Sequence, residues 1–293
     1  NEIKRSPGGN RDISRVVQSL PGVASTASFR NDILIRGGAP SENRFYIDGI
    51  EIPVINHFAT QGSSGGPVGM INVDFIREVD FYSGAFPANR GNSLSSVFDF
   101  TYRDANKDRL FFTATLGASD VGLTMEGPMG KKTSFIFSAR RSYLQFLFKA
   151  LQLPFLPTYN DFQFNVKHTI NAKNTLQVLG IGAIDQFRLN LDANETNLQK
   201  YLLNNLPVNE QWNYTTGVKY THFGKNNYTN VVVSRSHLNN STVKYANNDE
   251  SSENNLIIDY NSQEIENKLR IENIARWKGF KILTGVNYEL ATY

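Results

Sequence analysis

The sequence contains no cysteine among its 293 residues. Disulfide bonds, thiolate metal sites and cysteine nucleophiles are therefore excluded. The sequence also lacks an apolar run near the ~20 residues that a membrane-spanning helix requires. Its most apolar segment, residues 144–156, is interrupted by Lys149 and Pro154. If the chain lies in a membrane, helices do not place it there.

The sequence has no large excess of basic charge. The 30 Lys and Arg residues stand against 27 Asp and Glu residues, and the formal net charge is +3. No basic run is long enough to follow a phosphate backbone, so nucleic acid is not expected as a partner.

Signatures of common enzymes are missing too. The sequence has no phosphate-binding G-x-x-x-x-G-K-[ST] and no zinc-binding H-E-x-x-H. The run from Gly62 to Gly66 resembles a nucleophile loop but has no strand-turn-helix context. The four histidines lack the close spacing of common metal sites; they are His57, His168, His222 and His237. We therefore predict a protein that is not an enzyme and has neither a cofactor nor a metal site.

The first hundred residues predict a small α+β unit. The chain is rich in aromatic residues, with 20 Phe and 13 Tyr, which favours strands over helices. The dipeptide Asp48-Gly49 separates two apolar runs and predicts a two-residue hairpin, because both positions must tolerate a positive φ. A short helix is predicted upstream, where Asp12 is placed to cap an apolar stripe that begins at Ile13. A loop rich in Gly and Ser follows between residues 56 and 69.

Five motifs in this unit occur in a characteristic order. They are PGV at 21–23, IRGG at 35–38, YIDGI at 46–50, IREVDFYSG at 76–84, and the segment from Arg90-Gly91 to SSV at 95–97. Together they resemble the plug domain of TonB-dependent outer-membrane receptors. The resemblance implies a plug over residues 1–104 that sits in the lumen of a barrel. It also implies a TonB box, expected in a segment before Asn1, and TonB with its inner-membrane energising complex as partners.

The rest of the chain predicts an antiparallel membrane β-barrel. Nine segments alternate between apolar and polar residues: 110–118, 121–126, 133–142, 161–170, 175–187, 211–223, 228–238, 256–277 and 281–290. Tight connections follow the second, fourth, sixth and eighth segments, whereas long connections follow the third, fifth and seventh. This rhythm is typical of periplasmic turns and extracellular loops. The orientation of 228–238 stays open, because Val231 and Val233 share a face with Arg235.

Nine strands do not close a barrel of this kind. Plugged transporters close at about 22 strands, and an open sheet edge is not tolerated in hydrocarbon. We therefore expect residues 105–293 to be the N-terminal portion of the barrel and the chain to be the first part of a longer polypeptide.

The resemblance implies active import across the outer membrane of a Gram-negative bacterium. The expected cargo is a scarce ligand such as a siderophore, a vitamin or an oligosaccharide, and a surface lipoprotein is a further candidate partner besides outer-membrane lipid. One alternative is a passive pore, an adhesin or a surface assembly component with a structural plug. A soluble β-rich binding protein is a third interpretation. Uptake that persists without TonB would favour the passive pore.

Two groups of residues are predicted to meet the ligand. The plug loops contribute Ser41, Glu42, Asn43, Asn56, His57, Phe58 and Gln61. The first long outer loop contributes Tyr143, Phe146 and Phe148. These aromatic residues could stack on a sugar or on a planar siderophore, or simply pack the loop, and the sequence does not choose between these roles.

A third group is predicted to hold the plug against the barrel. It comprises Arg36, Glu51, Asp80 and Arg90. Their expected partners are charged residues of the barrel wall, such as Lys219, Arg235, Arg270 or Glu272. The alternative is a set of ion pairs and turn caps inside the plug. Buried pairs add little net stability but are costly to break one-sidedly, which suits a latch.

Overall fold

The computed structural model describes residues 12–25, 30–60 and 66–293. They form an N-terminal unit of short elements and a nine-stranded antiparallel sheet, and the unit packs against one face of the sheet. None of the described helices is long and apolar enough to cross a bilayer.

The first described element of the N-terminal unit is helix α1, Ile13–Val17. As predicted, Asp12 caps it, and its carboxylate accepts a hydrogen bond of 2.8 Å from the Ser14 amide. The strands are β1 Val23–Ser25, β2 Ile33–Ile35, β3 Asn43–Ile47, β4 Ile50–Ile52, β5 Asn56–His57, β6 Val68–Gly69, β7 Ile76–Tyr82 and β8 Ser96–Tyr102. Four of them form a sheet in the order β4-β3-β8-β7.

The predicted hairpin turn is confirmed between β3 and β4. Asp48 and Gly49 both have positive φ, 51° and 89°. Phenylalanine rings from the middle of the sheet pack within a core that is otherwise mainly aliphatic. Phe98 stacks on Phe45 at 5.3 Å and on Phe81 at 4.6 Å between ring centroids.

The nine-stranded sheet runs in chain order, and every strand is antiparallel to its neighbours. Its strands are β9 Phe111–Leu116, β10 Asp120–Pro128, β11 Thr133–Ser142, β12 Phe155–Asn171, β13 Asn174–Leu189, β14 Val208–Phe223, β15 Asn227–Tyr245, β16 Leu256–Trp277 and β17 Phe280–Thr292. The predicted strand count and the alternation of short and long connections are confirmed.

The structure extends two of these predictions. β12 begins at Phe155 instead of 161 and β15 ends at Tyr245 instead of 238, because backbone pairing continues where hydrophobic alternation stops. Two helices that were not predicted lie in the first two long connections, α2 Leu144–Ala150 and α3 Asn197–Asn205. α3 had a local signal, since Thr196 and Gln199 form a capping box.

The pairing register shows which residues of each strand face the N-terminal unit, on the inner face of the sheet, and which lie on the outer face. Val232 of β15 pairs with Lys219, which contacts the N-terminal unit, so both are on the inner face. Arg235 is therefore on the outer face, where its guanidinium donates to the Tyr214 hydroxyl at 3.2 Å. The expectation that Arg235 pairs with the plug is wrong, because an odd-numbered position of β15 points away from it.

The sheet and the N-terminal unit approach each other closely at Gly217 of β14. A Cβ at this position would lie 2.5 Å from Cδ1 of Ile50. The absence of a side chain at Gly217 therefore leaves room for the Ile50 side chain of β4 against the inner face.

Candidate functional site

The most deeply buried polar contact between the two parts of the molecule centres on His57. The ring is fully buried, with Nδ1 2.7 Å from Asp185 Oδ1 and Nε2 2.9 Å from Asp161 Oδ2. The two carboxylates lie on the neighbouring strands β13 and β12 and reach opposite edges of the imidazole. One side chain of the N-terminal unit thus bridges two strands of the sheet.

Further side chains hold these carboxylates in place. Arg140 of β11 donates to both oxygens of Asp161, with Nε 3.0 Å from each. The Nη2 of Arg140 also donates to the carbonyl oxygens of Gly69 and Met70, at 2.9 Å each. The ring of Tyr159 stacks on the imidazole with 4.2 Å between centroids. We call His57, Asp161, Asp185, Arg140 and Tyr159 the histidine cluster.

The protonation of His57 follows from its surroundings. Burial lowers the pKa of the imidazole, but the negative charges and hydrogen bonds of Asp185 and Asp161 outweigh burial and raise the pKa to about 9. The ring is therefore protonated at neutral pH, and both nitrogens donate. Two cations, Arg140 and His57, then balance two carboxylates that are almost fully buried.

A second buried contact lies further along the sheet, at β16. Arg90 donates to Asp99 of its own unit at 2.5 Å and to Glu272 of β16 at 3.0 Å. The ring of Tyr46 faces two guanidinium groups, with the Cζ of Arg90 4.8 Å and that of Arg270 4.6 Å from its centroid. We call Arg90, Tyr46, Asp99, Arg270 and Glu272 the arginine cluster.

Further polar contacts join the two parts. Lys268 of β16 lies 3.1 Å from Glu51. The hairpin turn is held from both sides, because Lys219 donates to the carbonyl oxygen of Asp48 at 3.0 Å and Gln177 to its carboxylate at 2.7 Å. The contact between the N-terminal unit and the sheet is thus rich in directional polar interactions.

Comparison with known proteins decides the identity of the N-terminal unit. A family model described as the TonB-dependent receptor plug domain matches residues 1–96. The chain therefore carries the plug domain of TonB-dependent receptors in its N-terminal part. Its N-terminal unit is the plug, and its nine-stranded sheet is a partial barrel. This is a family of receptors and transporters, not of enzymes.

Solved receptors share this fold at low sequence identity. A doubly substituted form of the ferric enterobactin receptor PfeA from Pseudomonas aeruginosa matches with a TM-score of 0.65 and 14% identity over 96% of this chain and 46% of its own. The siderophore receptor PirA from Acinetobacter baumannii matches with a TM-score of 0.62 and 14% identity, covering 96% of this chain and 45% of its own. The copper transporter OprC matches with a TM-score of 0.63 and 12% identity, covering 95% of this chain and 43% of its own. The chain thus spans a little under half the length of these receptors. No curated protein sequence matches it significantly.

Of the four residues predicted to hold the plug, two contact the barrel wall and two are exposed. Arg90 and Glu51 contact the barrel wall, at Glu272 and Lys268. Arg36 and Asp80 are exposed, and within the described residues neither forms an ion pair. Arg36 lies in a turn with φ of 51°, and Asp80 borders a polar cavity of about 550 Å³.

The plug residues predicted to face the ligand also differ in their exposure. Ser41 is exposed, and Glu42 and Phe58 are half-buried. Asn43, Asn56 and His57 are buried instead of lying at an exposed apex, and protein groups occupy them. Asn43 donates to the Ile33 carbonyl at 2.7 Å, and Asn56 accepts from the Ser14 hydroxyl at 3.0 Å. Gln61 lies outside the described residues.

The aromatic residues of the first outer loop have different surroundings. The Tyr143 hydroxyl donates to the Gly117 carbonyl at 2.5 Å. Phe148 packs edge-on against Phe155, at 5.5 Å between centroids. Phe146 is 68% exposed. Contacts with other protein groups therefore explain the positions of Tyr143 and Phe148, whereas the Phe146 ring is accessible.

Sequence reasoning missed the histidine cluster. It placed His57 in a ligand-binding loop and did not consider Asp161 or Asp185. The sequence did contain a signal that Asp161 faces inward. Asp161, Gln163 and Asn165 occupy alternate positions of β12 and therefore share its inner face. Its pairing with a particular plug residue could not be inferred, since 104 residues separate it from His57.

Proposed function

We propose that this receptor imports a scarce ligand, of the siderophore, vitamin or oligosaccharide class, across the outer membrane of a Gram-negative bacterium. TonB, energised from the inner membrane, pulls on the plug and opens a path past the barrel wall. The observation that carries this proposal is the chemistry of the plug–barrel contact, which is concentrated in the histidine and arginine clusters.

Such contacts suit a plug that is stationary at rest and removable under force. A buried ion pair adds little net stability, because the desolvation of both charges offsets their attraction. Removing one partner from a buried pair nevertheless costs about 3–5 kcal/mol, because the other charge is left unpaired. The plug is therefore held firmly in one position, and separation of a few groups releases it.

The test is uptake by cells that carry the full-length receptor and lack their own equivalents. Radiolabelled ferric enterobactin, cyanocobalamin and maltoheptaose serve as probes of the three ligand classes. We expect one of them to accumulate, and we expect accumulation to stop when TonB is deleted. Accumulation that persists without TonB would contradict active import and favour a passive pore.

A further inference from the structure

Plug residues 57–59 contact the barrel wall through three different kinds of group. The His57 imidazolium meets Asp185 at 2.7 Å. The Phe58 amide donates to the other oxygen of the same carboxylate at 2.7 Å. The Ala59 carbonyl accepts from Gln211 at 2.5 Å. The wall thus binds a cation, an N–H donor and a carbonyl acceptor in consecutive residues, as it would bind a basic peptide.

The wall residues in this contact form one continuous surface. Asp185 of β13 is the register partner of Gln211 of β14, so both side chains lie side by side on the inner face. Asn213 lies two residues further along β14, on the same face. Gln211 also donates to Asn240 of β15, which fixes the orientation of its amide.

This surface offers more hydrogen bonds than the plug uses. Within the described residues, the Gln211 Oε1 and Asn213 Nδ2 atoms have no hydrogen-bond partner. The two residues are only 7% and 6% exposed. Buried polar groups are rarely left unpaired, because each then bears its full desolvation penalty. One spare acceptor and one spare donor beside the peptide-like contact match a second amide unit.

We propose that Asp185, Gln211 and Asn213 form a binding site for a basic, peptide-like ligand, and that plug residues 57–59 occupy this site until the plug moves. The proposal rests on the proposed import function, because the site opens to the lumen only when the plug segment leaves. Asp161 would keep Arg140 as its partner, whereas Asp185 would lose both of its partners from the plug. A ligand with a cationic group next to an amide replaces both, and an anionic ligand does not.

A glycine in the plug provides a way to displace the segment without altering the site. A Cβ on Gly66 would lie 1.4 Å from the His57 carbonyl oxygen, so Gly66→Ala forces the segment away from its present position. The variant keeps His57 and every wall residue. The probe is fluorescein-labelled acetyl-Lys-Phe-Ala-amide, and the control probe carries Glu in place of Lys.

Binding is measured by fluorescence anisotropy on the purified full-length receptor in detergent micelles. We expect Gly66→Ala to bind the Lys probe at least tenfold more tightly than the unsubstituted receptor. The gain should disappear in Gly66→Ala combined with Asp185→Asn, and the Glu probe should not show it. Equal binding of both probes, or no gain in a folded Gly66→Ala receptor, would overturn the proposal.

A second measurement leaves Gly66 unchanged. The chain has no cysteine, so Ala59→Cys gives this chain a single reporter at a buried position. Excess unlabelled Lys peptide should speed the reaction of this cysteine with a maleimide at least threefold, and the Glu peptide should not. No acceleration by the Lys peptide would count against the site. Neither measurement involves TonB, so failure here and failure of TonB-dependent uptake are separate results.

Discussion

The histidine cluster and the arginine cluster both join the plug to the barrel wall, but they differ in how many groups carry the contact. In the histidine cluster a single fully buried side chain bridges two carboxylates that are each 1% exposed. In the arginine cluster Arg90 shares its charge between Asp99 and Glu272, and Arg270 lies 3.7 Å from the same glutamate. The plug therefore supplies a single cation, and a single titrating proton, to the two carboxylates of the first contact, whereas the second contact has a partial substitute for its central cation.

Removal of the His57 side chain should have the largest effect on plug attachment. In His57→Ala, Asp161 keeps Arg140, but Asp185 keeps only the Phe58 amide and has no cation to balance its buried charge. We expect the plug to be destabilised by about 3–5 kcal/mol. The measurement is the urea dependence of protease cleavage in the plug of the purified receptor.

The matched control for this variant is His168→Ala. His168 lies on β12, and among the described residues its ring bonds the Thr133 side chain alone, at 2.7 Å. Its loss should therefore change plug stability by less than about 0.5 kcal/mol. A similar small effect of His57→Ala would show that the histidine cluster does not hold the plug.

Removal of the Arg90 guanidinium should have a smaller effect. Arg90→Met leaves Asp99 and Glu272 without their main partner, but Asp99 is 19% exposed and Arg270 remains close to Glu272. We expect a loss of about 1–3 kcal/mol in the same protease assay. Arg36→Met is the control, because Arg36 is exposed and should change stability by less than about 0.5 kcal/mol. A loss as large as that of His57→Ala would contradict the idea that Arg270 substitutes in part for Arg90.

The two clusters should also respond differently to pH. The folded pKa of His57, about 9, lies above the ordinary value of 6.5, so its contribution is fully present below pH 6.5 and is lost as the pH rises through 9. The groups around the ring are Asp161, Asp185, Arg140 and Tyr159, with Asp120 bonded to the Tyr159 hydroxyl at 2.9 Å. Arg90 stays charged throughout, because Asp99 and Glu272 outweigh burial and raise its pKa.

Hydrogen exchange of residues 56–60 measures this difference. Exchange should become faster between pH 7 and pH 10, after correction for the intrinsic pH dependence, and the acceleration should be absent in His57→Gln. The Phe98 amide of β8, whose ring packs between Phe45 and Phe81, serves as the internal control in the same experiment. Equal acceleration at both places would indicate general loosening of the plug and not titration of His57.

Local patterns in the sequence were sufficient to predict the fold of each part. The Asp48-Gly49 turn, the Asp12 cap and the alternation along β9 to β17 are set by neighbouring residues, and the structure has all three. The contacts between plug and wall depend on which strand each plug loop reaches, and this depends on the shape of the whole lumen. For that reason Arg90 and Glu51 could be proposed as wall contacts without a fixed partner, whereas Arg235 and His57 were misplaced.

The contact at Gly217 lies between the two clusters and should give the smallest effect. A Cβ in Gly217→Ala would meet Cδ1 of Ile50, the flexible end of that side chain, so a small movement relieves most of the clash. We expect a loss of about 1 kcal/mol in plug stability, at the low end of overpacking effects. Ile50→Val removes Cδ1 and should therefore cost less in the Gly217→Ala background than in the native one. Purely additive losses would show that the new Cβ at position 217 does not touch Cδ1 of Ile50. In that case close packing at β4 would not help to position the plug between its two charged contacts.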